Sequence, residues 1–74
     1  MSPRNIKAGS HRLTWSDDRA AYVVHNSDLI VWWDRRLKLW TICNEDHIDL
    51  PTEYAPNRAR LPAAIDQATT KENA

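Results

Sequence analysis

Cys43 and His47 stand four residues apart, with Asp46 and Asp49 beside them. A structural zinc site needs four ligands, and a Cys-x3-His spacing supplies two. The chain has one cysteine, and His11 and His25 would join the group only through a fortunate fold. As a nucleophile Cys43 would need a positioned histidine and a depressed pKa. At the end of an apolar strand it reads instead as a small buried hydrophobe. Paired acids occur at Asp17–Asp18 and Glu45–Asp46, both in turn-like segments with no concave site to raise a carboxylate pKa. A single glycine cannot build a phosphate-cradling loop. The sequence thus predicts no catalytic residue, metal, cofactor or small-molecule substrate: a non-enzymatic protein.

The elements that would carry any site must come from one small domain. A chain of 74 residues buries only about 60% of its unfolded surface. One cysteine leaves no disulfide to staple it. Stability then falls to large side chains: Trp15, Trp32, Trp33, Trp40, Tyr22 and Tyr54, each burying on the order of 150–250 Å². A homodimer that extends the core is a natural arrangement for so small a chain. The lone thiol suits a reducing compartment, the stretch MSPRNIKAGSHR lacks the apolar run of a secretory signal, and no run is long enough to span a bilayer. A cytoplasmic, membrane-free protein is expected.

Formal net charge is zero, but as a sum of blocks. Arg4, Lys7 and Arg12 come first with no acid among them. Asp17, Asp18, Asp28 and Asp34 then stand against Arg19 alone. Arg35, Arg36 and Lys38 follow, and after them Glu45, Asp46, Asp49 and Glu53. Bulk neutrality argues against a protein held mainly by polyanions.

Residues 1–10 read as a mobile basic arm. HRLTW, RAAYVVH, LIVWW and LKLWTIC are rich in β-branched and aromatic residues, and the polar clusters SDD, NSD and DRR separate them. Connections this short cannot cross over, so the strands form an antiparallel meander. HIDLPTEYAPNRARLP, with Pro51, Pro56 and Pro62, reads as irregular. Leu61, Ala64, Ile65 and Ala68 repeat at helical spacing, and Pro62 suits a first turn. Asn57 as an N-cap is the competing start, but it would put Pro62 inside the helix. The expected fold is α+β: a meander of three to four strands with one C-terminal helix on one face. The domain covers residues 11–69, and 70–74 form a frayed tail.

Side chains alternate along a strand, so the adjacent Trp32 and Trp33 must face opposite sides. A three-residue loop Asp34-Arg35-Arg36 would gather Leu29, Val31, Trp33, Leu37 and Leu39 on one face. Ile30, Trp32, Lys38, Trp40 and Ile42 would share the other. One helix covers one face, and the Val31/Trp33/Leu39 side, which lacks the lysine, is its expected seat. The Trp32/Trp40 side is then either covered by Ile6, Ile48 and Tyr54 or left for a partner. An open aromatic patch beside arginines is the composition of an interaction site.

WWDRRLKLW followed by a loop and a helix with RLPAAIDQA resembles the small sheet-plus-helix domains that bind DNA, such as the arm-binding domains of tyrosine-family phage integrases. The resemblance covers residues 29–68 and extends in style to small phage accessory proteins. It implies a sheet in the major groove, contacted through Trp32, Arg35, Arg36, Lys38 and Trp40. Arg4, Lys7 and Arg12 would add arm contacts. Two expectations follow. The favoured one is a regulator or inhibitor that binds a protein partner, or a second copy, through Trp32, Trp40 and the Arg35/Arg36/Lys38 tip. The alternative is a duplex-DNA-binding sheet domain using the same hairpin and the arm.

Overall fold

A computed structural model describes residues 5–72. Six strands run as one antiparallel meander in the order β1 to β6, with each strand paired to its sequence neighbours. They are β1 Asn5–Ala8, β2 His11–Ser16, β3 Ala21–Val24, β4 Leu29–Asp34, β5 Leu39–Asn44 and β6 Glu53–Ala55. A single 3-10 turn, Arg58–Arg60, leads into helix α1, Leu61–Glu72. The sheet curls into a half-barrel around the helix. The α+β class stands, but the expected three to four strands are six.

The two extra strands are the edges, and both lie where the sequence suggested no sheet. β1 falls in the stretch read as a mobile arm. Ile6 and Ala8 face the core while Asn5 and Lys7 are exposed, so it is a half-buried edge. Gly9 and Ser10 close a two-residue turn to β2, with Gly9 at φ +65°, as a type II′ hairpin requires at its first central position. β6 is three residues long between Pro51 and Pro56. Proline is tolerated beside an edge strand, where only one side needs ladder hydrogen bonds.

The inner face carries α1. Leu61, Ala64, Ile65 and Ala68 of the helix bury against Ala8, Leu13, Val24, Leu29, Val31, Ile42 and Ala55 of the sheet. Truncating a side chain such as Ile65 to alanine would cost about 2–5 kcal/mol. Both suggested helix starts find a place. Asn57 caps the 3-10 turn, its Oδ1 accepting from the Arg60 N–H at 3.0 Å, and the helix proper then begins at Leu61 with Pro62 in its first turn. The helix also runs past residue 69 to Glu72. The Thr69 and Thr70 hydroxyls donate to the carbonyls of Ile65 and Asp66, and Lys71 Nζ reaches Glu53 Oε2 at 2.8 Å on β6.

The helix sits on the face that holds Val31 and Trp33, as expected, but that face is completed by Trp40 and Ile42 rather than Leu37 and Leu39. Trp33 pairs with Trp40 and Asp34 with Leu39, so the β4–β5 loop has four residues, not three. Adding one residue to a loop exchanges the faces of everything after it.

Candidate interaction surfaces

The β4–β5 tip is built by local hydrogen bonding. Asp34 Oδ1 accepts from the backbone N–H groups of Arg36 at 2.9 Å and Leu37 at 3.1 Å, folding the loop over its own side chain. Lys38 takes a left-handed conformation, φ +56°, to return the chain to β5. Trp33 and Trp40 then meet edge to face across the strands, ring centres 5.6 Å apart at 67°. Trp40 is half-buried against the core, whereas Trp33 is 44% exposed and Leu37, at the tip, is 54% exposed. Arg35, Arg36 and Lys38 are exposed, and none of them joins an ion pair among the described residues. The tip is therefore an apolar and aromatic surface ringed by unpaired cations.

Trp32 and Trp40, expected to share one face, lie on opposite faces. Trp32 lies opposite Thr41 on the outer face, packed with Val23 against Ala21, Ile30 and Cys43 in a second, smaller core. Ile48 folds back beside Trp32 and Ile30 around a cleft of about 260 Å³, and Tyr54 shares this side through its pairing with Thr41. Ile6, expected here too, is on the inner face. The outer face is thus only partly covered: Trp32 is half-buried, while Ile48 and Tyr54 stay 59% and 42% exposed.

Arg35, Arg36 and Lys38 are brought together. Trp33 and Leu37 belong with them and were missed, because a three-residue loop assigns both to the helix-covered side. Of the arm residues, Arg4 lies outside the described residues. Lys7 and Arg12 are not on an arm: they face each other across β1 and β2.

The Cys43 group offers no nucleophile. Its thiol is buried, with Sγ 3.5 Å from the Ile48 carbonyl. Burial, and then the Asp49 carboxylate, push its pKa from the ordinary 9.0 up to about 11, so it stays protonated at neutral pH. His47 is exposed, and among the described residues no three His, Cys, Asp or Glu side chains gather to hold a metal. Among them, too, no helix is long and apolar enough to cross a membrane.

No protein family, curated protein or solved structure matches this chain.

Proposed function

We propose that this chain is a non-enzymatic protein-binding module, a regulator or inhibitor in the cytoplasm. It engages its partner through the β4–β5 tip: Trp33, Leu37, Arg35, Arg36 and Lys38, with Trp40 as the buttress behind Trp33. One observation carries the reading, namely that a hydrogen-bonded turn holds a large exposed aromatic ring and an exposed leucine among unpaired cations. Tryptophan and arginine dominate the energetics of interfaces, and a ring already fixed by its neighbour loses little freedom on binding.

A photo-crosslinking side chain at Leu37, in the full chain and in extract of its native cell, tests this. A discrete adduct is expected, competed by unlabelled protein but not by a Trp33→Ala, Arg36→Glu variant. No adduct, or equal labelling from a crosslinker at Asp46 in the connection after β5, at the opposite end of the sheet, rejects the reading.

Duplex DNA is the second reading, and Arg58 and Arg60 favour it. Ala55 pairs with Trp40 on the inner face, so the turn that follows β6 adds these two exposed cations at the same end of the sheet. Titration with random duplex DNA at low and moderate salt separates the two. Affinity that falls steeply with salt supports DNA.

A further inference from the structure

Among the described residues, the outer face of β1–β3 carries two cations, Lys7 and Arg12, with no acid paired to either. Ile6 and Ala8 point into the core, so Asn5 and Lys7 point out; on β2, Arg12 and Thr14 do the same. The register sets Lys7 directly opposite Arg12 and Asn5 opposite Thr14. The His25 N–H donates to the Arg12 carbonyl at 2.9 Å, which carries the β2–β3 ladder one residue past Val24 and lays His25 beside Arg12. On the same face Thr14 Oγ1 lies 2.7 Å from His25 Nε2. The three ion pairs of the described residues are His11–Asp66, Arg19–Glu45 and Lys71–Glu53, none of which includes Lys7 or Arg12.

Like charges directly opposed on neighbouring strands destabilise a sheet, and nothing in the packing requires a lysine and an arginine at these exposed positions. The surface beside them is not flat. A cleft of about 280 Å³ is lined by Asn5, Lys7, Arg12, Thr14 and His25, with Ile6 and Leu13 at its base. A second, of about 390 Å³, shares Arg12 and His25 but opens towards the helix through His11, Val24 and Thr69, where Asp66 pairs with His11, so it is not part of the outer-face site. Donors of three kinds thus converge on the first hollow: the Arg12 guanidinium, which can fork onto two oxygens, the Lys7 ammonium, and the Thr14 hydroxyl and Asn5 amide.

We propose that Lys7, Arg12 and His25, with Thr14 and Asn5, form a site for a phosphate group, either free or esterified along a nucleic-acid strand. The site is separate from the β4–β5 tip and does not depend on what the tip binds. An anion seated between Lys7 and Arg12 replaces their repulsion with two charge-assisted contacts, and Thr14 and Asn5 complete its hydrogen bonding.

The test is titration of the isotope-labelled full chain with inorganic phosphate, against sodium chloride at matched ionic strength, followed by amide resonances. Saturable shifts are expected at Lys7, Arg12, Thr14 and His25, with Arg36 and Leu37 unmoved. Arg12→Gln should weaken the phosphate affinity about tenfold, in line with the loss of a charged hydrogen bond. It should leave the melting temperature equal or higher, since it relieves the opposition with Lys7. A single-stranded oligonucleotide that moves the same resonances at far lower concentration identifies the source as a nucleic-acid backbone. An oligonucleotide no better than its phosphate content identifies a free phosphate. Shifts that merely follow ionic strength, or an affinity unchanged by Arg12→Gln, overturn the proposal.

Discussion

Gly9 is the only glycine in the chain, and two constraints meet there. Its φ of +65° is a left-handed conformation, and a Cβ built on it would lie 2.9 Å from Pro62 Cβ and 3.4 Å from Pro62 Cγ. The β1–β2 turn is thus pressed against the first turn of α1. In Gly9→Ala the dihedral costs about 1–2 kcal/mol. Crowding against a ring with little room to yield adds about 1–3 kcal/mol. A stiffer unfolded chain returns about 0.4–1 kcal/mol. The net loss is about 3 kcal/mol, against a total stability of about 4–11 kcal/mol for a domain of this size. Urea unfolding followed by tryptophan fluorescence reads it. With a slope of about 1 kcal/mol per molar, the midpoint should fall by about 2–3 M. Pro62→Gly removes the atoms in the way, so in that background Gly9→Ala should cost only its dihedral part less the unfolded-chain return, about 1 kcal/mol. A loss below about 0.5 kcal/mol, or one equal in both backgrounds, would refute the close packing of turn on helix.

Three further outcomes are expected. Thr41 is 2% exposed and its hydroxyl has no hydrogen-bond partner among the described residues. Thr41→Val should therefore raise stability by about 1 kcal/mol, seen as a melting temperature higher by about 4–8 °C; a lower one would show that the hydroxyl is satisfied. Asp34→Ala removes the acceptor that folds the β4–β5 tip, at a cost of about 1 kcal/mol. The amides of Arg36 and Leu37 should exchange with solvent faster, and unchanged rates would contradict the assigned turn. Cys43 holds its proton more tightly folded than unfolded, since burial and Asp49 raise its pKa from 9.0 to about 11. Its contribution is complete below pH 9 and is lost as the pH rises towards 11, so denaturation midpoints should fall less over that window in Cys43→Ala than in the parent chain. Equal falls would mean that the thiol is not shielded.

What the sequence disclosed follows how much surface each element buries. LIVWW and LKLWTIC are central strands, and Leu61, Ala64, Ile65 and Ala68 mark a helix on a core, so burial wrote both patterns plainly. β1 and β6 are edges that bury one or two side chains each, and short stretches of that kind look like loops. The site was displaced by one residue of loop length. Lysine is an unusual residue for a left-handed position, so nothing in DRRLK announced a loop ending at Lys38. A readable signal was nevertheless present. Trp15 and Tyr22 are seven apart, as are Trp33 and Trp40. Residues directly opposed across a loop with an even number of residues have an odd separation. Both hairpins close with four residues, and the last, Ala20 or Lys38, is left-handed. Both bring their aromatic rings edge to face.

That repeated construction bears on the choice between protein and DNA. In a meander the β2–β3 and β4–β5 turns lie at the same end of the sheet, with neighbouring strands about 4.8 Å apart. The first turn carries Asp17 and Asp18, the second Arg35, Arg36 and Lys38. Two strand spacings, about 10 Å, separate them, slightly more than one Debye length at physiological salt, so the acids offset part of the field of the basic tip. Asp17 is further fixed by the Trp15 indole N–H, which donates to its Oδ1 at 2.7 Å. A patch of mixed charge around an exposed tryptophan suits the patterned surface of a protein better than a uniform row of phosphates. Asp17→Asn with Asp18→Asn puts this to a direct test. If the tip serves a protein that answers both charges, partner affinity should drop several-fold while duplex DNA stays a weak ligand. If the tip serves DNA, the same change must strengthen DNA binding and leave any protein adduct at Leu37 untouched, and that outcome would reverse the assignment.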